Sequence, residues 1–270
     1  MPILLTLLFG IIIGVLAREV MTRRKRAALM ATALSDAQRA IIAEKMPIAA
    51  KLPDALRARF EGLVNRFLDE IKFHGAEDFE ITNEVRTLIA AQACFLIVNK
   101  DNRWFKTLKT IFVYPAAFKS KLKSHDGHVT HENEQVRSGE SWSRGQVVLA
   151  WDHAAYGAFI DADGHNVVMH EFAHQLDDQT GQTDGAPLLD PDHNAREWGR
   201  VFQEAYDRLR SDAASGRGSL LDHYGATKPA EFFAVATEVF FEKPEKLREE
   251  EPALYGQLAR YYNLDPAGWD

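Results

Sequence analysis

The chain has 270 residues, 46% hydrophobic and 26% charged, enough length and apolar content to bury a sizeable core, and this excludes a disordered chain. Its 32 basic residues against 39 acidic ones give a net charge of −7, which argues against nucleic acid as a direct partner. A lone cysteine, Cys94 in "AAQACFLIVN", excludes a disulfide framework and a cysteine-based zinc module, and reads as core.

The first seventeen residues, "MPILLTLLFGIIIGVLA", carry no charge, and "REVMTRRKR" follows directly. As a helix they span roughly 25 Å, slightly less than the ~30 Å hydrocarbon core, with Val20 and Met21 extending the apolar length. The alternative is a cleaved signal peptide, with Val15-Leu16-Ala17 as the cleavage site. The n-region lacks Lys and Arg, however, while Arg18, Arg23, Arg24, Lys25 and Arg26 all follow the run. The reading is a retained anchor at 1–21, a basic juxtamembrane segment at 22–34 and a domain at 35–270, divided at 105/106. The expected place is the bacterial inner membrane, single-pass, with the domain cytoplasmic; the alternative is a soluble cytoplasmic protein. Gly10 and Gly14 form a lone GxxxG, weak evidence for dimerisation.

"RRKRAALMATALSDAQRAIIAEKMPIAAKL" reads as helix, with Ser35 or Asp36 as N-cap. A second helix starts near Pro53 and lines up Leu56, Phe60, Leu63, Phe67 and Ile71 on one face. "TNEVRTLIAAQACFLIVNK" is a third, apolar enough to be buried on most sides. "TIFVYP" (110–115) is the first strand and "QVVLAWD" (146–152) the second. Between them, 120–145 is polar and rich in Gly and Ser, a long loop or irregular hairpin. His125, His128 and His131 recur there every third residue, and read as solvated side chains more readily than as a metal site. Helices follow at about 193–211, 229–242 and 251–262. There is no internal repeat and no Gly-rich phosphate loop.

"VVMHEFAHQLDD" (167–178) carries the chemistry. On a helix, residues four apart share a face, so His170 and His174 bring ring nitrogens to one ion. Glu171, about 100° around the helix, stands beside that ion as general base for a zinc-held water. Val168, Met169, Phe172 and Leu176 supply the apolar back. The alternative is an amphipathic helix that happens to carry histidines. A catalytic zinc takes three protein ligands. The HExxHxxGxxH pattern is excluded because Asp177 and Thr180 stand where it needs His174's glycine and third histidine. The candidates are Glu197 in "NAREWGRVF" and Glu231 in "YGATKPAEFFAVATEVFFE". Glu197 has polar neighbours and suits a solvated face. Glu231 opens a strongly apolar helix, where a carboxylate needs a cation or the helix N-terminus. Glu238, two turns on, and Asp177, two turns after His170, suit outer hydrogen bonds to ligand imidazoles, or are ordinary hydrogen-bonded polar groups. Tyr224, seven before Glu231, offers a phenol to an oxyanion.

"HEFAHQLD" followed by "YGATKPAEFFAVATEVFFE" resembles the Mlc titration factor A family of bacterial zinc peptidases. The similarity runs from about residue 50 to the C-terminus. The HEFxH core and the Tyr-x6-Glu spacing are also similar to the catalytic domain of anthrax lethal factor, a gluzincin. The resemblance implies one Zn2+ per chain on His170, His174 and Glu231, with Glu171 as base and Tyr224 at the oxyanion. It also implies a peptide or protein substrate and a transcriptional repressor, Mlc-like, as partner. The expected fold is α+β and zincin-like, mostly helical with a small sheet, preceded by an N-terminal hydrophobic helix. "QVVLAWD" is the expected sheet edge for strand addition by the substrate. The expected function is a zinc metallopeptidase. The alternative is a membrane-tethered binding protein that sequesters a transcriptional regulator of sugar uptake.

Overall fold

The structure is a computed structural model that describes residues 2–100, 104–125, 130–137, 139–142 and 145–269. Its first part is helical: α1 (Pro2–Ala31), α2 (Asp36–Lys45), a 3-10 turn at Pro47–Lys51, α3 (Asp54–Glu70) and α4 (Asn83–Phe95). Ser35 is the N-cap of α2. Its hydroxyl accepts from Gln38 N, and Gln38 Oε1 accepts from Ser35 N at 3.0 Å, a reciprocal capping box. That cap and Pro47 divide what the sequence suggested as one long helix into three pieces. On α3, Phe60, Leu63 and Phe67 are buried, and Leu56 packs at the rim. Thr82 caps α4, whose residues Thr87 to Phe95 are all buried, Cys94 among them.

The strands are β1 (Lys72–Gly75), β2 (Thr110–Tyr114), β3 (Phe118–His125), β4 (Thr130–Arg137), β5 (Gly139–Trp142) and β6 (Gln146–Ala150). One sheet has the order β1-β2-β6-β5, with β1, β2 and β6 parallel and β5 antiparallel to β6. β6 therefore lies inside the sheet, and the expectation that it forms the edge is corrected: β5 is the edge beside it. The reason is legible afterwards, since Val147 to Ala150 are buried as an inner strand requires. β3 and β4 form a separate antiparallel hairpin from the polar 120–145 stretch. His125 and His131 fall on its strands, and His128 lies outside the described residues.

The rest is α5 (Trp151–Phe159), α6 (Val167–Asp177), α7 (Ala195–Ser215), α8 (Pro229–Glu242), α9 (Pro244–Glu250) and α10 (Pro252–Tyr262). The protein is mostly helical with a small sheet. A continuous hydrophobic cluster runs from Leu34 to Leu264. Within it Phe67 of α3 lies 5.7 Å (ring centroids) from Phe172 of α6, and Phe105 lies 4.8 Å from Phe172. The back of α6 is thus anchored on the helical part by an edge-on contact with Phe105 and a tilted one with Phe67.

Among the described residues no helix is long and apolar enough to cross a membrane. That finding corrects the expected membrane anchor, the inner-membrane placement built on it and the hydrophobic helix assigned to 1–21. The uncharged run stops at Ala17, and the same helix continues into charged residues that bind the domain. Lys25 pairs with Asp69 at 2.7 Å and Arg26 with Glu70 at 2.7 Å, so part of the basic flank answers acids on α3. Gly62 allows this approach, because a Cβ there would stand 2.3 Å from the Met30 carbonyl oxygen. Replacing it, Gly62→Val, should lower unfolding free energy by about 1–3 kcal/mol and open residues 22–34 to proteolysis. Unchanged melting and cleavage patterns would mean that the end of α1 does not rest on α3.

Candidate metal centre

Asn166 is the N-cap of helix α6. Its Oδ1 accepts from Met169 N at 2.9 Å, and its Nδ2 donates to Gly157 O at 2.8 Å, which ties the helix start to α5. Val168, Met169, Phe172 and Leu176 are buried on the back, as an amphipathic α6 requires. On the other side the rings of His170 and His174 lie 4.9 Å apart, nearly perpendicular. Glu171 is buried at 5% exposure between these two faces.

The third group arrives from α8. Pro229 starts that helix, and Glu231 in its first turn reaches α6. Glu231 Oε2 is 3.0 Å from His170 Nε2 and 3.2 Å from His174 Nε2. One donor atom from each of the three residues lies within 4.8 Å of the others. Donors held at ~2.0–2.1 Å around one tetrahedral ion stand roughly 3.3 Å apart, so this trio fits a small divalent cation such as zinc. Glu197 does not come here. It lies in the exposed first turn of α7 and pairs with Arg200 at 2.6 Å.

The electrostatics also favour a cation. Burial disfavours a charged His170, yet Glu238 and Glu231 outweigh it and hold the imidazole well above its usual pKa. Burial likewise pushes the Glu231 carboxyl up, but His170 and His174 overcome it and hold the group below the usual carboxylate range. Carboxylates converge on the imidazoles, and positive charge at the centre satisfies them.

Glu238 Oε1 lies 2.7 Å from His170 Nδ1. A proton on Nδ1 leaves the Nε2 lone pair facing the centre. Asp177 makes no hydrogen bond to either histidine among the described residues, and His174 Nδ1 is buried without a partner there. Instead Asp177 Oδ2 accepts from Gly185 N at 2.7 Å. Gly185 has φ +82°, and a Cβ on it would meet Pro229 O at 2.4 Å. Asp177 therefore fastens a glycine turn against the start of the helix that carries Glu231. Burial raises its pKa to about 6. Tyr224 is half exposed on the 3-10 turn His223–Ala226, its ring centroid 6.0 Å from that of His170.

Sequence reasoning passed over Glu242 and Asn166. Glu242 Oε2 accepts from Gly164 N at 3.0 Å and His165 N at 3.1 Å, while Glu238 Oε2 accepts from Asn166 N at 2.5 Å. The signal was available: Glu231, Glu238 and Glu242 are spaced by seven and four, one face of an otherwise apolar helix.

Comparisons with known proteins point to a metallopeptidase family. The family model for glucose-regulated metallo-peptidase M90 matches residues 20–263. An uncharacterized protein of Synechocystis is 40% identical over 266 residues, 98% of this chain and 97% of its own length. Mlc titration factor A of Escherichia fergusonii is 30% identical over 225 residues, 82% of this chain and 84% of that protein. The Mlc titration factor A of Salmonella typhi is 30% identical over 226 residues, with the same coverage.

Burial pushes the Glu242 carboxyl from an ordinary 4.5 up to about 8, with Asp163 and Glu238 adding repulsion. The folded state keeps a proton that the unfolded chain releases, so this group's stability contribution is complete below about pH 4.5 and lost as pH rises through about 8. Glu242→Gln should therefore flatten part of the fall in melting temperature between those limits. Parallel curves for the two proteins would show that Glu242 titrates normally in the fold.

Proposed function

The chain belongs to the M90 family of glucose-regulated metallopeptidases, and from that premise we propose that it hydrolyses peptide bonds at one zinc ion held by His170, His174 and Glu231. The observation that carries the proposal is the meeting of three donor atoms from helices about sixty residues apart in sequence. The set is two imidazoles and one carboxylate with a glutamate directly after the first histidine, the pattern of a gluzincin in a zincin-like fold. The unit is residues 35–270, with a helical part at 35–105 and a catalytic part at 106–270.

Zinc, when bound, supplies a Lewis acid and lowers the pKa of water towards ~7. The chain does the rest. Glu171 is buried beside the imidazoles and follows no ligand role, so its carboxylate takes the proton of the attacking water and returns it to the leaving amine. Tyr224, near His170 and half exposed, donates a hydrogen bond from its phenol to the substrate carbonyl oxygen as negative charge develops there. Glu238 keeps the His170 ring in one tautomer. An extended peptide pairs with β5, the sheet edge packed against α6, by strand addition.

A second, compatible reading comes from the name of two relatives, Mlc titration factor A. The partner in that reading is a transcriptional regulator of the Mlc kind, bound or cleaved by this chain. An intact Glu171 favours the enzyme, since a pure binder has no use for a base.

Glu171→Gln should keep zinc and fold but lower peptide hydrolysis by about 10²–10⁴. Undiminished turnover in the zinc-loaded variant would sink the assignment of the base. Glu231→Ala should lose zinc on dialysis while Glu197→Ala stays near stoichiometric, as metal analysis would show; the reverse pattern would move the third ligand to α7. Tyr224→Phe should keep zinc and lower kcat by about 10²-fold. Loss of zinc in that variant would make the tyrosine structural.

A further inference from the structure

Two carboxylates one turn apart on α8 grip three successive backbone amides. Glu242 Oε2 accepts from Gly164 N and His165 N, and Glu238 Oε2 accepts from Asn166 N. These amides belong to the turn that leads into α6. Gly164 has φ +79°, which favours glycine and sets the turn so that its N–H groups face one side. A Cβ on Gly164 would also meet the Lys243 side chain at 3.2 Å, so the turn lies flush against the end of α8. Asn166, the last of the three, caps α6 and ties it to α5. Glu238 binds Asn166 N with one oxygen and the His170 ring with the other.

This arrangement is more than a helix–loop contact. Both of these carboxyls are buried at about 5% exposure, one turn apart, where a polar group without a donor is costly. They are tolerated because the turn presents donors to both. Gly164 N in turn donates to Glu242 Oε2 at 3.0 Å. Because α8 also carries Glu231, the grip sets the spacing between the helix that supplies two ligands and the helix that supplies the third.

We infer that Glu242 is a positioning residue for the metal centre: by holding Gly164 and His165 it fixes the turn, and through Asn166 and Glu238 it fixes where His170 stands. The inference rests on the reading of His170, His174 and Glu231 as zinc ligands. Glu242 touches none of the three. Its action is on the frame between α6 and α8.

The test uses the full chain and zinc alone, with affinity measured by competition against a chelator. Glu242→Ala removes the acceptors and should weaken zinc binding by about 10–100-fold, the usual cost of losing an outer-shell partner. Glu242→Gln keeps an acceptor oxygen and should restore affinity to within a few-fold of the natural protein. Val239→Ala, a buried apolar change on the same helix that removes no acceptor from the turn, should lower melting temperature without weakening zinc. Equal loss of affinity in Val239→Ala and Glu242→Ala would overturn the inference in favour of general destabilisation, and so would unchanged affinity in Glu242→Ala. If Glu242→Ala does not fold, amide exchange in the natural protein decides: Gly164 N–H should be protected, and exchange at the rate of an exposed loop would overturn the grip. A natural protein that binds no zinc at all, with Gly164 protected, would instead fail the ligand reading and take this inference with it.

Discussion

The pairing of α6 with α8 is the contact on which the rest of the molecule depends. Helix α8 is buried along almost its whole length and still carries three carboxylates on one face. Moving a carboxylate out of water is costly unless the charge is answered. Here Glu231 is answered by two imidazoles, Glu238 by an imidazole and an amide, and Glu242 by two amides. Every one of those answering groups lies between residues 164 and 174. The fold therefore has a hydrogen-bonding requirement that one short stretch of sequence meets, and that requirement forces two distant helices into a single register.

Packing on the far side of each helix keeps that register rigid. Phe172 is wedged among Phe67 and Phe105, and α8 sets Phe232, Phe233 and Phe240 among Phe202, Tyr206, Tyr261 and Tyr262. Each buried aromatic contributes about 1.5–3 kcal/mol relative to exposure, and the interlocking rings resist sliding by less than a whole residue. The result is a centre built on helices, while the partly exposed Tyr224 sits on a short turn capped by Asp222. Under the proposed function, rigid donors with one more accessible phenol suit a site that holds an ion and admits a chain.

How much of this was legible in the sequence depended on whether the signal was local. HExxH, the apolar back of α6 and the capping serine at 35 are short-range patterns, and each stands where the spacing put it. Glu231 was favoured over Glu197 by apolar context, because a carboxylate among phenylalanines requires a partner that one beside Arg200 does not. What failed was non-local. β1, "KFHG", has no strand pattern and exists because β2 lies alongside it. Helix α5 was missed because it starts immediately after β6, with no spacer to mark the change. The sheet edge went to β6 instead of β5, since strand order is a tertiary fact. The N-terminal run reads as an anchor from its apolar length and its basic flank, whereas in the fold Lys25 and Arg26 of that flank face acids on α3 forty-four residues away. Asp177 lies on the expected face, yet it serves the turn at Gly185 and not a ligand ring, a choice that sequence spacing does not encode.

The central claim is that α6 and α8 together build one cation site from two imidazoles and a carboxylate. X-ray absorption at the zinc edge of the stoichiometric zinc-loaded protein tests it directly. The account predicts a first shell of two imidazole nitrogens at ~2.0–2.1 Å and carboxylate or water oxygens at ~2.0–2.2 Å, with no sulfur. A shell with a third imidazole, or one unchanged when Glu231 is replaced by alanine, would contradict it.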